Sequence, residues 1–297
     1  MLEKYQLNKV EWINITSPTP EDIETATNIF HLHPVLSEEL SRPSDRLKVE
    51  NIDGLLYIIY HLPIYDYEQQ TSKRSEIDLI ITKNKILSIT YEPIVALEEF
   101  KYKFKQDDFD TTAEFLYQLL YHINQFSLRE LNHIEKKINA IETKLFVDKN
   151  YQLAEYISYL KRDILTFTLV VTPQKHLLES LIDAGSKFWG EETKIYFNNI
   201  LGDYLRINYL LENLKGTIES FSITISQLYE LNLSKSMRQI SIFAVLFSPL
   251  LLFGTIALQP FIADFFTKNN EIFWHILIIL IIAEFITVWI FHKKHLL

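Results

Sequence analysis

Residues 239–263 read QISIFAVLFSPLLLFGTIALQPFIA and residues 272–291 read IFWHILIILIIAEFITVWIF; the first stretch carries no formal charge and the second only Glu284. Each reaches the roughly 20 apolar residues an α-helix needs to cross hydrocarbon at about 1.5 Å per residue. Together they predict a C-terminal hairpin: transmembrane helices 239–263 and 272–292, an extracytoplasmic loop 264–271 between them, and a basic cytosolic tail 293–297. Lys235 and Arg238 precede the first stretch and Lys293 and Lys294 follow the second, whereas the loop holds Asp264, Lys268 and Glu271. That bias puts both termini in the cytoplasm of a multi-pass cell-membrane protein. Residues 1–10 lack the apolar core of a signal peptide, so the long segment before the hairpin is expected in the cytosol.

Upstream of the first stretch, Ile200, Tyr204, Ile207, Leu211, Leu214, Ile218, Phe221, Ile225 and Leu228 alternate steps of four and three, a coiled-coil-like seam. No proline stands between Pro173 and Pro249, so one helix is expected from about Thr193 to Leu258, with 193–238 as a stalk. Such a helix would be on the order of 100 Å long. The seam either recruits further copies of the chain or packs on the chain's own helices. A second face of the same helix is small and partly polar: Gly216, Ser220, Ile223, Gln227, Glu230 and Ser234, then Met237, Ile240, Ala244, Ser248, Leu251, Thr255 and Leu258. In a symmetric ring this face lines a path, with Glu230 as a carboxylate collar, Met237 and Ile240 as an apolar constriction, and Ser248 and Thr255 offering hydroxyls. The other reading is close helix packing by small residues.

The first 238 residues mix charged and apolar positions like a soluble domain. Glu11–Ile15 reads as a strand, and Thr19-Pro20-Glu21-Asp22 opens a helix running to about Phe30. Leu55–Tyr65 is rich in Leu, Ile and Tyr, and strands Ile77–Thr82 and Ile86–Tyr91 flank the turn Lys83-Asn84-Lys85. Residues 1–95 are therefore expected to be α/β, and 96–238 helical; there Leu131, Ile134, Ile138, Ile141 and Leu145 mark one apolar helix face.

Composition narrows function. Among 297 residues there is no cysteine, which excludes disulfides, thiolate zinc sites and cysteine nucleophiles. A net charge of −9 disfavours nucleic acid and suits cations. No Gly-rich phosphate loop, His-Glu-x-x-His or nucleophile elbow occurs, so no enzyme and no enzymatic cofactor is expected. His31 and His33 beside Pro34 read as structural or surface residues, and Asp107, Asp108 and Asp110 as a solvated loop and helix start.

In order along the chain stand His33-Pro34-Val35-Leu36-Ser37-Glu38-Glu39, Lys48-Val49-Glu50, Leu160-Lys161-Arg162, Val171 with Pro173, Tyr196-Phe197, Met237-Arg238, Pro249 and Lys293-Lys294. The series resembles the CorA family of magnesium and divalent-cation transporters, over most of the chain. The resemblance implies a cytosolic α/β domain, stalk helices and two spans, assembled as a homopentamer that passes hydrated divalent cations along an axial pore. Magnesium is the implied cargo, with zinc, cobalt or nickel as alternatives.

Three departures accompany it. Where the family has Gly-Met-Asn at the pore mouth, alignment on Pro249 puts Leu258, Gln259 and Pro260, of which only Gln259 offers a side-chain amide. Where the family has an acidic stalk residue that binds regulatory magnesium, this chain has Asn199; Asp203, one turn on, is the regulatory metal candidate. Glu284 is an acid in hydrocarbon, counted as level with Ser248, and such a residue is a functional candidate. It reads either as a group for proton-coupled transport, of the kind known in zinc-transporting relatives, or as a neutral acid bonded to a neighbouring helix. The departures leave a second function open: a CorA-like membrane protein that does not conduct, or selects a different ion, in a structural or regulatory role.

Overall fold

The computed structural model describes residues 2–66, 71–104, 107–145 and 152–293. The basic tail beyond Lys293 lies outside the described residues. Contacts divide the chain into two units, Met1–Ser222 and Ile223–Leu297.

The first unit is built on a six-stranded sheet: β1 (Leu2–Leu7), β2 (Val10–Thr16), β3 (Lys48–Ile52), β4 (Leu55–Asp66), β5 (Thr71–Ile81) and β6 (Lys85–Thr90), in the order β1-β2-β6-β5-β4-β3. β2 and β6 run parallel and the other neighbours antiparallel. Helices α1 (Pro20–Phe30) and α2 (Pro34–Glu39) cover one face, where Ile23, Ala26, Phe30 and Leu36 pack on Ile13, Ile15, Tyr57, Ile59, Ile80 and Leu87. Thr19 starts α1 by a reciprocal capping box: its hydroxyl accepts the Asp22 amide at 3.2 Å and the Asp22 carboxylate accepts the Thr19 amide at 3.1 Å. Thr19→Ala is expected to lower stability by about 1 kcal/mol, read as a fall in the thermal midpoint. His31 ends α1 in the left-handed region at φ 51°, and His33 Nδ1 accepts the Val35 amide at the start of α2. Both histidines thus have structural roles.

The opposite face carries Trp12, fully buried, whose Nε1 donates to Ser88 Oγ at 2.8 Å. Its ring meets Phe100 at 5.7 Å and Phe115 at 5.1 Å, from α3 (Val95–Phe104) and α4 (Thr112–Leu145). On the same unit α5 (Gln152–Val171) packs on β4 and β5, and α6 (Gln174–Trp189) on β3 and β4.

Two strands are additions to the sequence expectation. β1 and β3 are edge strands with half-exposed, partly charged patterns, so they lack an apolar signature. β5 also begins earlier than the expected Ile77, at Thr71. Its first residues are polar yet buried because they have fixed partners: Asp163 of α5 accepts from Thr71 Oγ1 at 2.8 Å and from the Ser72 amide at 2.9 Å.

After a single turn at Glu191–Thr193, α7 runs over Lys194–Ala257 with Pro249 inside it. In the first unit its seam residues Ile200, Tyr204, Ile207, Leu211, Leu214 and Ile218 are all 5% exposed or less. The chain's own helices cover them: Asn124 Nδ2 of α4 donates to the Ile200 carbonyl and Tyr204 Oη to the Thr172 carbonyl, each at 3.3 Å. Of the two readings of the seam, intrachain packing accounts for these six positions, and they are not a surface for self-association.

The second unit holds the end of α7, a short helix α8 (Pro260–Lys268) and α9 (Asn270–Lys293). Phe253, Phe266 and Phe273 tie the three together with ring centroids 5.4–6.0 Å apart. Asn270–Phe291 and the apolar part of α7 are long and apolar enough to cross a membrane. Much of the link between them is helical rather than extended.

Candidate functional site

On the α7 part of the second unit, Glu230, Ser234, Met237, Ile240, Ala244, Ser248, Leu251 and Thr255 are all exposed in the single chain. Five of them, Ile240, Ala244, Ser248, Leu251 and Thr255, line one open groove together with Phe243, Phe247 and Leu252. The three extra residues were missed in the sequence because they sit one step beside the small-residue row, a position that i+3 and i+4 spacing makes part of the same surface. Thr255 and Pro249 each alter the hydrogen bonding of this stretch of α7. Thr255 Oγ1 donates to the Leu252 carbonyl at 2.9 Å, which leaves its oxygen lone pairs outward. Pro249 has no N–H, so the Val245 carbonyl one turn earlier lacks its helical donor.

The Leu258-Gln259-Pro260 segment forms the corner between α7 and α8. Leu258 is 81% exposed, and Gln259 caps α8 with its backbone while its side chain makes no cap bond. The Gln259 carbonyl accepts the amides of Ile262 at 2.9 Å and Ala263 at 2.8 Å, so both its lone pairs are spent on the helix. What this corner can offer a hydrated cation through Gln259 is therefore the side-chain amide.

Glu284 lies on α9, partly exposed, with Oε1 buried and without a hydrogen-bond partner among the described residues. Equal rises counted down α7 and α9 from the Phe253–Phe273 contact bring Glu284 level with Ile242, rather than with Ser248 as counted from sequence alone. Ile242 is itself buried while Ser241 and Phe243 beside it are exposed.

In the first unit Asn199 and Asp203 occupy one stretch of α7. Tyr117 Oη donates to Asn199 Oδ1 at 3.3 Å, and the Tyr117 ring lies between those of Tyr121 and Tyr196, at 6.2 and 5.2 Å. Asp203 Oδ2 is buried without a hydrogen-bond partner among the described residues, and burial lifts its carboxyl above the usual range while Arg206 opposes the shift. Among the described residues no three His, Cys, Asp or Glu come together as a metal cluster. Asp110 pairs with Lys9 at 2.8 Å, and Asp107 and Asp108 are exposed.

Comparison with known proteins bears on these features. The chain is 23% identical over 279 residues to the cobalt/magnesium transport protein CorA of Thermotoga maritima, covering 88% of this chain and 73% of that protein. It is 19% identical to the putative metal ion transporter YfjQ of Bacillus subtilis, covering 98% of this chain and 92% of the other. The CorA magnesium transporter structure from Methanocaldococcus jannaschii shares the fold at a TM-score of 0.79 and 18% identity, covering 96% of this chain and 90% of that one. Over residues 8–293 the chain matches the family described as CorA-like Mg2+ transporter protein, and it belongs to that family of membrane transporters.

Proposed function

We propose that the chain assembles as a homopentamer in the cell membrane and passes divalent metal cations along an axis lined by the groove face of α7. The observation that carries this reading is the groove itself: a row of small and hydroxyl-bearing residues, exposed in the single chain, on a spanning helix of a transporter family. In this reading the spans are 239–263 and 272–292, the first 238 residues and both termini are cytoplasmic, and the loop 264–271 is outside. Glu230 forms a carboxylate collar, Met237 and Ile240 an apolar constriction that gates by excluding water, and Ser234, Ala244, Ser248, Leu251, Thr255 and Leu258 line the path. Gln259 at the corner presents an amide to the hydration shell of the ion. Magnesium surrenders its waters reluctantly, so an outer-sphere amide suits it, with zinc, cobalt and nickel as further cargo.

A second reading, a member that does not conduct or selects another ion, is favoured by the same corner, where Leu258 and Pro260 offer no side-chain oxygen and the Gln259 carbonyl is consumed by α8. Regulation by magnesium is expected to be weak, because the Asn199 amide is engaged by Tyr117 and Asp203 is partly desolvated. Proton coupling through Glu284 rests on its Oε1, which has no hydrogen-bond partner among the described residues.

The test is uptake of Mg2+, Zn2+, Co2+ and monovalent ions into liposomes carrying the purified protein, with and without a proton gradient. Reproducible divalent uptake is expected. Gln259→Ala is expected to slow it by about threefold to tenfold, the worth of one net hydrogen bond. Uptake that responds to the proton gradient, and loses that response in Glu284→Gln, would assign the coupling to Glu284. Silence toward every ion, from assembled and correctly oriented protein, favours the second reading.

A further inference from the structure

The α1–α2 face of the sheet ends in a buried polar cluster that the transport path does not use. Glu76 and Asp78 stand two residues apart on β5, facing the same side, at 5% and 1% exposure. Glu76 is well supplied with donors: the Ser44 amide reaches its two oxygens at 2.9 and 2.8 Å, and His61 Nε2 lies 3.2 Å away. His61 Nε2 also faces the Ser44 carbonyl at 3.1 Å, so with two acceptors before it this nitrogen carries the ring hydrogen. Asp78 is poorly supplied. Its Oδ1 is buried with no hydrogen-bond partner among the described residues. Its Oδ2 takes the Tyr91 hydroxyl at 2.7 Å, and that hydroxyl also faces the Leu40 carbonyl at 3.2 Å with one hydrogen for two acceptors.

A buried carboxylate oxygen with no donor is costly, and a proton on Asp78 removes that cost. The remaining neighbours add negative rather than positive potential. From α2 comes Glu39, and from β3 come Glu50 and Lys48, whose ammonium is shared between those two acids at 3.0 and 3.2 Å. From β4 comes Tyr57, its hydroxyl buried without a partner among the described residues, while at the rim Asp45 pairs with Arg74. Burial first, then the charge of Glu76, pushes Asp78 up to about 8.

The geometry also says what the hydrogen holds. Leu40, which ends α2, is tied through Tyr91 to Asp78, and Ser44 is tied directly to Glu76, so both ends of one connection rest on the acid pair. We propose that Asp78 holds a proton beside Glu76 and that this proton latches the Leu40–Ser44 segment, its loss loosening the connection between α2 and β3. When Asp78 ionises, the Tyr91 hydrogen goes wholly to Asp78, Leu40 loses its donor, and Glu76 is repelled from its place on Ser44.

The sign follows from linkage. In the closed segment Asp78 holds its proton to a higher pH than the ordinary carboxylate value of 3.8, so the latch is strongest below about pH 4, weakens as pH rises toward about 8, and is flat above.

The experiment uses the full chain in liposomes. Hydrogen exchange at Ser44, corrected for the intrinsic rate, is expected to lose protection by up to about tenfold per pH unit between pH 6 and 8 and to level off beyond. In Asp78→Asn, an uncharged mimic of the protonated acid, protection should not vary with pH. The infrared difference between wild type and Asp78→Asn should contain a protonated-carboxyl stretch at pH 7 that is gone by pH 10. Glu76→Gln, which removes the like charge, should move the loss of that stretch to lower pH, and it serves if Asp78→Asn does not fold. No such stretch at pH 7 overturns the proton on Asp78, and pH-independent protection of Ser44 in wild type overturns the latch. Neither readout depends on ion transport.

Discussion

Ser248→Lys is expected to reduce divalent-cation uptake by a hundredfold or more while leaving assembly intact. Ser248 lies in the open groove of α7, one residue before Pro249. If that groove faces a common axis, each subunit would hold an ammonium near the passing ion. At about 10 Å and an effective dielectric constant of about 20, one ammonium raises the energy of a divalent ion by roughly 3 kcal/mol. That alone is a slowing of roughly a hundredfold, and several copies add to it. Ser248→Ala keeps the small size and should keep most of the uptake. The oligomer of both variants is checked by size-exclusion chromatography. Wild-type uptake through assembled Ser248→Lys protein would remove the groove from the conduction path and leave it as a packing or lipid-facing surface.

Trp12→Ala is expected to cost about 3–5 kcal/mol of stability, the range for deleting a large buried aromatic. Trp12 joins the second strand of the sheet to two helices through Phe100 and Phe115, and its indole N–H is satisfied by Ser88, whose hydroxyl donates to Asn14 at 2.8 Å. Alanine leaves a cavity among these rings and takes away the donor to Ser88. Trp12→Phe refills much of the volume but not the hydrogen bond, so it should recover most of the loss. Thermal unfolding followed by far-ultraviolet circular dichroism measures both, and equal midpoints for wild type and Trp12→Ala would contradict the packing described.

The features legible in sequence were those with one-dimensional signatures. The two apolar runs, the Thr19 cap and the turn at Lys83-Asn84-Lys85 each announce themselves within a few residues. The opening of β5 did not, because Thr71, Ser72 and Glu76 are polar by type and buried only through Asp163, His61 and Ser44, which are distant in sequence. The seam of α7 was legible as an apolar stripe, but periodicity reports that a face is covered and not by whom; Asn124 and Thr172 supply that answer. At the corner, the residue types at 258–260 showed which side chains were present. Only the bonds from Ile262 and Ala263 reveal that the Gln259 carbonyl is occupied.

Because the α7 seam through Ile218 is consumed within one chain, the N-terminal unit does not wait for neighbours in order to fold. Synthesis proceeds from the N-terminus, and domains generally fold as units in that order. By the time residue 222 is free of the ribosome, the unit has every segment that its contacts require, and the apolar runs after it are still being made. For the homopentamer proposed above, maturation is then a two-stage process in which a finished subunit is delivered to its site of oligomerisation. The first stage is unimolecular and insensitive to expression level, and the second depends on how many copies share a patch of bilayer.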